Sequence, residues 1–521
     1  MPQSTDSPVL DLLIVGGGIN GAGIARDAAG RGLKVLLCER DDLAGHTSSS
    51  STKLIHGGLR YLEYYEFRLV AKALREREIL LQAAPHIIWP MRFVMPHVPQ
   101  LRPRWMIRLG LFLYDSLGGR MSLPRSEALN LKTHAAGTVL RDHLQHGFAY
   151  SDCWVEDARL VVLNCLDAAE RGADIRTRTS CVHAERKDGL WHVRLRDGNS
   201  GEETICRART LVNAAGPWVT GLLTGDSGKP KKSVRLVKGS HLVVPRIGTQ
   251  DEAYILQNPD RRIVFVIPFE QHYSLVGTTE EVYGDDPATP RISEAEIDYL
   301  CETVDRFFKQ PITPEDVVWS YSGVRPLFDD ASANASAVTR DYVLDMDGDE
   351  GTPPLLSIFG GKITTYRRLA EDVMALLRDS LQTEAPAWTA RQPLPGGDIP
   401  KADMDAWRAG LAENYPWLPE SVRYRLAYTY GTRIHRLLEG AESTDDLGIE
   451  LGEGLFEREL HYLRDTEWAR TAEDALWRRT RLGLHLSAGQ RQAVADWFAT
   501  NGLAPCPAAP GARLMRGARQ R

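Results

Sequence analysis

Short apolar runs ended by glycine mark the first part of this chain. The run Leu10 to Val15 stops at Gly16 and reads as a strand buried in a parallel sheet. Ile19 to Gly30 is small and alanine-rich, as a helix packed tightly on that strand requires. Lys34 to Glu39 reads as a second strand, so the chain opens with a βαβ unit. Asp42 to Thr52, rich in Ser, Thr and Gly, is expected to be a loop, and Phe67 to Ala84 a helix.

Pro85, Pro90, Pro96, Pro99 and Pro103 then predict an irregular segment. Helical spacing returns over Trp105 to Leu117 and over Ala158 to Gly172. Strands are expected near Ser180 to Glu185, Trp191 to Arg196 and Leu211 to Ala215. The stretches His241 to Pro245, Arg262 to Pro268 and Ser274 to Thr278 are β-rich and read as antiparallel. Leu355 to Phe359 is a further strand, stopped by Gly360 and Gly361, with a helix to follow through Leu377. Gln382 to Pro400 is rich in Pro, Ala, Thr and Gly and reads as a linker. Beyond it the pattern is helical to about Phe498, and Arg513 to Arg521 reads as a loose tail.

A chain of 521 residues exceeds what one core serves, so two or three domains are expected. Hydrophobic residues at 43% and charged residues at 25% exclude a disordered chain. A net charge of -6 gives no support to a nucleic-acid binder. Seven scattered cysteines without a CxxC pair argue against a disulfide framework or a metal site and fit a reducing cytoplasm. The first residues carry no cationic region before their short apolar run, so they read as a strand entering a turn and not as a signal peptide. No stretch approaches the apolar length of a transmembrane helix.

Gly16-Gly17-Gly18-Ile19-Asn20-Gly21 fits G-x-G-x-x-G directly after a strand and at the opening of a helix. Glycine there permits a tight turn and close approach of backbone N–H groups to a pyrophosphate at a helix N-terminus. Glu39 closes the next strand, where an acidic residue binds ribose hydroxyls. The motif alone leaves NAD and FAD open. Ser48 to Lys53 add hydroxyl and amide donors, His56-Gly57-Gly58 brings bare backbone close, and Gly360-Gly361 forms a second glycine turn far along the chain. Two such turns suit one extended FAD better than NAD.

These residues resemble the FAD-dependent glycerol-3-phosphate dehydrogenases, within the D-amino-acid-oxidase-like flavoproteins. IVGGGINGAGIARDAAGRG (Ile14 to Gly32) and GGKITTYRRLA (Gly360 to Ala370) are similar to the two signatures of that family. Ser51 to Glu63, FAYSDCWVEDARL, VNAAGPWV, KGSHLVVPR, YSGVRPL and TAEDALWRRTRLGL also fit, so the resemblance runs nearly the whole chain.

It implies a doubly wound, Rossmann-like FAD domain built from 8–85, 145–235 and 320–385. An antiparallel β-sheet cap from 86–144 and 236–319 would hold the substrate. A linker at 386–400, an α-helical C-terminal domain at 401–505 and a flexible tail at 506–521 complete the expected α/β architecture. FAD contacts are implied for Gly16, Gly18, Ile19, Asn20, Gly21, Glu39 and Arg40 around the first turn. The following segment adds Thr47, Ser48, Ser49, Thr52, Lys53, Leu54, His56, Gly57 and Gly58. Later contacts are implied at Val182, Ala215, Gly216, Trp218, Gly323, Gly361, Lys362 and Thr364.

The implied activity is oxidation of glycerol 3-phosphate to dihydroxyacetone phosphate. A phosphate dianion calls for cations, with Arg60, Arg325, Arg340 and Lys362 as candidates and Thr278 as a hydroxyl donor. Tyr61 would orient the substrate. Hydride goes to the flavin, and His56 and His241 are the candidate bases, with Arg325 and Lys362 steadying charge. The resemblance further implies a quinone acceptor, a homodimer, and peripheral attachment to the inner face of the cytoplasmic membrane. Arg102, Arg104 and Arg108, interleaved with Trp105, Leu109 and Phe112, suit a helix lying on anionic lipid. The competing readings are a flavin amine oxidase, an oxygen-using glycerol-3-phosphate oxidase, a non-catalytic FAD module and an NAD(P)-linked dehydrogenase.

Overall fold

A computed structural model describes residues 8–98, 102–119, 121–221, 234–328, 341–348 and 351–502. Arg340 and the tail expected at 506–521 lie outside the described residues.

Two large sheets organise the molecule. In the first, the strands Asp174–Arg176, Val35–Cys38, Leu10–Val15, Glu203–Asn213 and Leu355–Phe359 run parallel side by side. Val343–Asp347 closes one edge antiparallel, and Thr179–Lys187 with Leu190–Asp197 forms a meander onto Glu203–Asn213. Every residue of Val35–Cys38 and of Leu355–Phe359 is buried. That is why these segments read as unbroken apolar runs, as strands covered on both faces must. The helices Ile19–Gly30, Asp157–Glu170 and Tyr366–Leu376 pack together on this sheet and share its core. The fold is thus α/β with the doubly wound nucleotide-binding arrangement the sequence predicts.

The second sheet has ten strands, mostly antiparallel. Its long pairs are Val234–Pro245 with Trp319–Phe328, and Ile88–Pro96 with His146–Val155. Within the proline-punctuated segment, Ile88–Pro96 is a strand where irregular chain was expected, and Pro99 lies outside the described residues. Pro90 lies where Ile88–Pro96 pairs only with His146–Val155, because the neighbour on its other side joins at Phe93 and Val94. A missing N–H is tolerated at such a free edge. His146–Val155 and Trp319–Phe328 hydrogen-bond within this sheet, although 145–235 and 320–385 were expected in the nucleotide domain.

The segment expected as a linker is packed. Arg26 donates to the Gln392 and Pro393 carbonyls, and Trp388 Nε1 donates to Asp27 O. The last domain is helical as expected, with its own core around Leu426, Tyr430, Leu460 and Leu476. It also holds a small hairpin, Glu450–Gly452 with Leu455–Phe456, and a π-helical turn at Asp474–Arg479. No helix among the described residues is long and apolar enough to cross a membrane.

Candidate active site

The first glycine turn is built for close approach. Gly16 has φ +115°, and a Cβ on it would sit 2.4 Å from the Ala214 carbonyl oxygen. A Cβ on Gly21 would lie 2.0 Å from Gly16 O. The Gly17 N–H donates to Glu39 Oε2 at 2.6 Å, and the Asp41 N–H to Oε1 at 2.9 Å. Burial pushes the Glu39 carboxyl up, against the pull of these two N–H donors. Beside it Arg40 lies over the Trp218 ring, 3.9 Å from its centroid, and Ala215 and Gly216 form the turn that carries Trp218. Val182 is exposed on the meander.

Asn20 joins the two distant glycine turns. Its Nδ2 donates to Gly360 O at 3.1 Å, and a Cβ on Gly361, whose φ is +101°, would stand 2.9 Å from that nitrogen. Asn20 Oδ1 is buried without a partner among the described residues. The Ile19 N–H donates to Ser48 Oγ at 3.0 Å, and Thr47 Oγ1 to Val324 O at 2.7 Å. A cleft of about 240 Å³ opens here. Ile19, Thr47, Ser48, Thr52, Leu54, His56 and Tyr61 line it. His241, Thr278, Gly323, Arg325, Gly361, Lys362 and Thr364 complete the lining with them. Residues from widely separated stretches of sequence thus converge.

The side chains in this cleft are distinct chemically. His241 Nε2 is 3.0 Å from Thr52 Oγ1, while Nδ1 is buried with no hydrogen-bond partner among the described residues. Burial, then the charges of Lys53 and Arg325, push His241 down to about 3, so its imidazole is neutral. Burial likewise lowers His56, helped by Lys362 and Arg77 and opposed by Asp152. The Lys362 ammonium sits 3.7 Å from the centre of the Tyr61 ring. Arg325 Nη2 is 3.9 Å from Glu280, and Thr278 Oγ1 donates to Thr279 O at 3.0 Å. A Cβ on Gly239 would crowd both Thr278 and Arg325, so bare backbone keeps this wall open.

Four expected residues, Arg60, Lys53, Gly57 and Gly58, are not in the lining. Arg60 lies on the turn Leu59–Tyr64 and is not part of the cleft lining. The Lys53 side chain turns away from the cleft and pairs with Asp157 at 2.6 Å, also donating to Ser49 O. It thereby pins the serine-rich loop, because a buried ammonium needs a carboxylate. Gly57 is buried behind the lining, its N–H held by Tyr114 and Asp152; Gly58, also off the lining, has φ +74°. Ser50 and Ser51 of the donor-rich segment also line the cleft, and Gly239, Leu327 and Asp341 line it without having been singled out. Gly239 was legible in KGSH, two residues before His241.

The parallel sheet, the glycine turn with Glu39, and the orphaned Asn20 oxygen fit an extended dinucleotide, and a neutral histidine with two cations lines the cleft beside the Gly360–Gly361 turn. That combination defines an FAD-dependent oxidoreductase. The family described as "FAD dependent oxidoreductase" matches residues 11–367, and that described as "C-terminal domain of alpha-glycerophosphate oxidase" matches 387–500. The chain belongs to the FAD-dependent glycerol-3-phosphate dehydrogenase family. A glycerol-3-phosphate dehydrogenase of Pseudomonas aeruginosa is 53% identical, over 95% of this chain and 96% of that one. A D-erythritol 1-phosphate dehydrogenase of Brucella abortus is also 53% identical, over 94% and 97%. The solved structure of the glycerol-3-phosphate dehydrogenase from Bacillus halodurans complexed with FAD is 29% identical. It superposes with a TM-score of 0.76, covering 95% of this chain and 91% of that one.

Proposed function

We propose that this enzyme oxidises sn-glycerol 3-phosphate at C2 to dihydroxyacetone phosphate and passes the electrons to a quinone. The observation that carries the reading is the convergence of Arg325, Lys362, Thr52 and His241 on one cleft beside the Gly360–Gly361 turn. The name of the Pseudomonas relative supports the same substrate.

FAD, when bound, supplies the hydride acceptor. Gly16, Gly18, Asn20, Glu39, Ser48 and Gly361 would hold it. Arg325 offers a planar fork to the phosphate dianion, and Lys362 adds a point charge. The C2 hydroxyl proton passes to Thr52 Oγ1, whose own proton moves to Nε2 of His241 across their 3.0 Å contact. A bound phosphate offsets the Arg325 charge, the smallest of the three causes that disfavour a protonated His241, after burial and Lys53. Lys362 steadies the negative charge left in the cleft after reduction.

A second reading follows from the Brucella relative, which is named for a longer polyol phosphate at the same identity. That substrate presents the same phosphate and secondary alcohols, so the shared cleft chemistry serves it as well.

The quinone reading implies a membrane-facing surface. On the helix Arg104–Leu117, Trp105, Leu109 and Phe112 are 67%, 50% and 56% exposed, beside Arg104 and Arg108. Tyr65, which ends the turn Leu59–Tyr64, is 80% exposed. An apolar face edged by arginines fits the interface of an anionic bilayer on the cytoplasmic side.

Anaerobic mixing tests the substrate, with the flavin absorbance followed near roughly 450 nm. Bleaching by glycerol 3-phosphate and not by glycerol, lactate or sarcosine is the expected result. Stronger bleaching by erythritol 1-phosphate selects the second reading, and bleaching by an amine overturns both. Reoxidation by a quinone in preference to oxygen, and co-sedimentation with anionic vesicles, test the remainder.

A further inference from the structure

The imidazole of a proton-accepting histidine is ordinarily oriented by a hydrogen bond at its second ring nitrogen. His241 has none at Nδ1 among the described residues. Its ring is instead held by flat packing. Tyr321 lies directly opposite in the register of Val234–Pro245 with Trp319–Phe328. The two rings stack at 4.8 Å with an interplanar angle of 17°. The other face lies against Gly277, where a Cβ would come within 2.3 Å of His241 Cδ2.

Tyr321 is in turn positioned from outside the strand pair. Its hydroxyl donates to Ser51 O at 2.8 Å. Its ring meets Trp319, two residues earlier on the same face of the strand, at 5.1 Å. Trp319 stacks on Trp477 at 4.5 Å and 25°. Trp477 belongs to the C-terminal domain and sits in the π-helical turn Asp474–Arg479. A continuous column of rings, Trp477, Trp319, Tyr321 and His241, therefore crosses from that domain into the active site.

The same turn is anchored independently. Arg478 and Arg479 pair with the buried Asp42, three residues beyond Glu39, at 2.6 and 2.7 Å. Asp474 pairs with Arg178 at 2.7 Å. Just beyond, Arg481 is ion-paired to both Glu156 and Glu270. Trp477 is thus fixed by charges at the cofactor end and delivers its ring at the substrate end. π-helical turns recur at functional sites for this kind of re-aiming.

We propose that the C-terminal domain is a positioning element for catalysis, with Trp477 acting through Trp319 and Tyr321 to set the ring plane of His241. The proposal rests on the reading of His241 as the proton acceptor. Trp477 touches neither substrate nor cofactor in this role, and its loss is expected to slow the reductive step while leaving phosphate binding to Arg325 unchanged.

The test is a cycle of variants in the full-length FAD enzyme. Trp477→Leu is expected to lower the limiting rate of flavin reduction by glycerol 3-phosphate roughly tenfold to a hundredfold, the cost of a small misplacement. Flavin content and the substrate concentration for half-saturation are expected to stay as in the parent. Trp477→Phe, which keeps a ring on Trp319, is expected to recover most of the rate. In the His241→Gln background, Trp477→Leu is expected to cost nothing further, because residues acting as one unit are not additive. The same fold-loss in both backgrounds, or no loss in Trp477→Leu, overturns the proposal. If His241→Gln itself leaves reduction unchanged, the proton-acceptor reading falls first.

A readout without turnover completes the test. In histidine-labelled enzyme without substrate, the His241 resonance, identified by its loss in His241→Gln, is shifted by the ring current of Tyr321. It is expected to move in Trp477→Leu and return in Trp477→Phe. An unmoved resonance overturns the proposal even where Trp477→Leu lowers stability.

Discussion

Thr52 and His241 stand 189 positions apart in sequence and 3.0 Å apart in space, hydroxyl oxygen to Nε2. The contact joins the loop that follows the nucleotide turn to the strand Val234–Pro245 of the second sheet. If it carries the substrate proton, Thr52→Val keeps the side-chain shape and removes the relay. Flavin content is then expected to be unchanged and the limiting reduction rate to fall about a hundredfold, the lower range for general acid–base catalysis. Rapid mixing of the purified variant with glycerol 3-phosphate measures both.

Arg325→Lys keeps the charge in the cleft and loses the fork. The half-saturating concentration of glycerol 3-phosphate is expected to rise about tenfold, equal to about 1.4 kcal/mol, with a smaller change in the limiting rate. Arg325→Ala is expected to raise it further. Substrate titration of flavin bleaching gives both values.

Gly21→Ala would place a methyl group 2.0 Å from Gly16 O, where neither backbone can yield. The turn that faces the cofactor is expected to open, at a cost of about 1–3 kcal/mol. The variant is expected to purify with little flavin, read from the ratio of visible to protein absorbance.

Asp42 is 2% exposed and faces Arg478 and the fully buried Arg479. Asp42→Ala leaves buried guanidinium charge uncompensated, and breaking such a pair costs about 3–5 kcal/mol. A lower unfolding temperature by calorimetry is expected, with the C-terminal domain separating from the nucleotide domain under limited proteolysis.

His86 is wholly buried, with neither ring nitrogen hydrogen-bonded among the described residues. Burial, then the charge of Arg159, hold it down to about 3 from the ordinary 6.5. The folded protein keeps this ring neutral while the unfolded chain protonates it below 6.5, so the unfolded state binds more protons in that window. Stability is therefore expected to fall as pH drops from 6.5 towards 3, by up to about 1.4 kcal/mol per pH unit from this group. His86→Leu is expected to flatten the slope between roughly pH 4 and 6, measured by urea unfolding.

The sequence by itself determined the nucleotide end of this protein. Gly16 to Gly21, the helix they open and Glu39 form one local βαβ unit, so spacing alone locates the turn and the carboxylate that meets it. The Gly360–Gly361 turn was equally legible, since a buried run ended by paired glycines leaves few alternatives. Tertiary structure decided the rest. Lys53 could be placed near the loop from sequence, but only the fold brings Asp157 to its ammonium and turns it away from the cleft. Arg60 follows the glycine pair as the motif promised, yet its turn carries it outside the lining. The part of the proline-rich segment from Ile88 to Pro96 became a strand because a partner supplied nine paired positions and an edge that tolerates Pro90. The ring column from Trp477 to His241 spans two domains and depends on strand register and on one π-helical turn. Local periodicity reports which face of an element is buried. Which side chain waits on the other side of that burial is fixed by long-range packing, and the choice of active-site neighbours was made there.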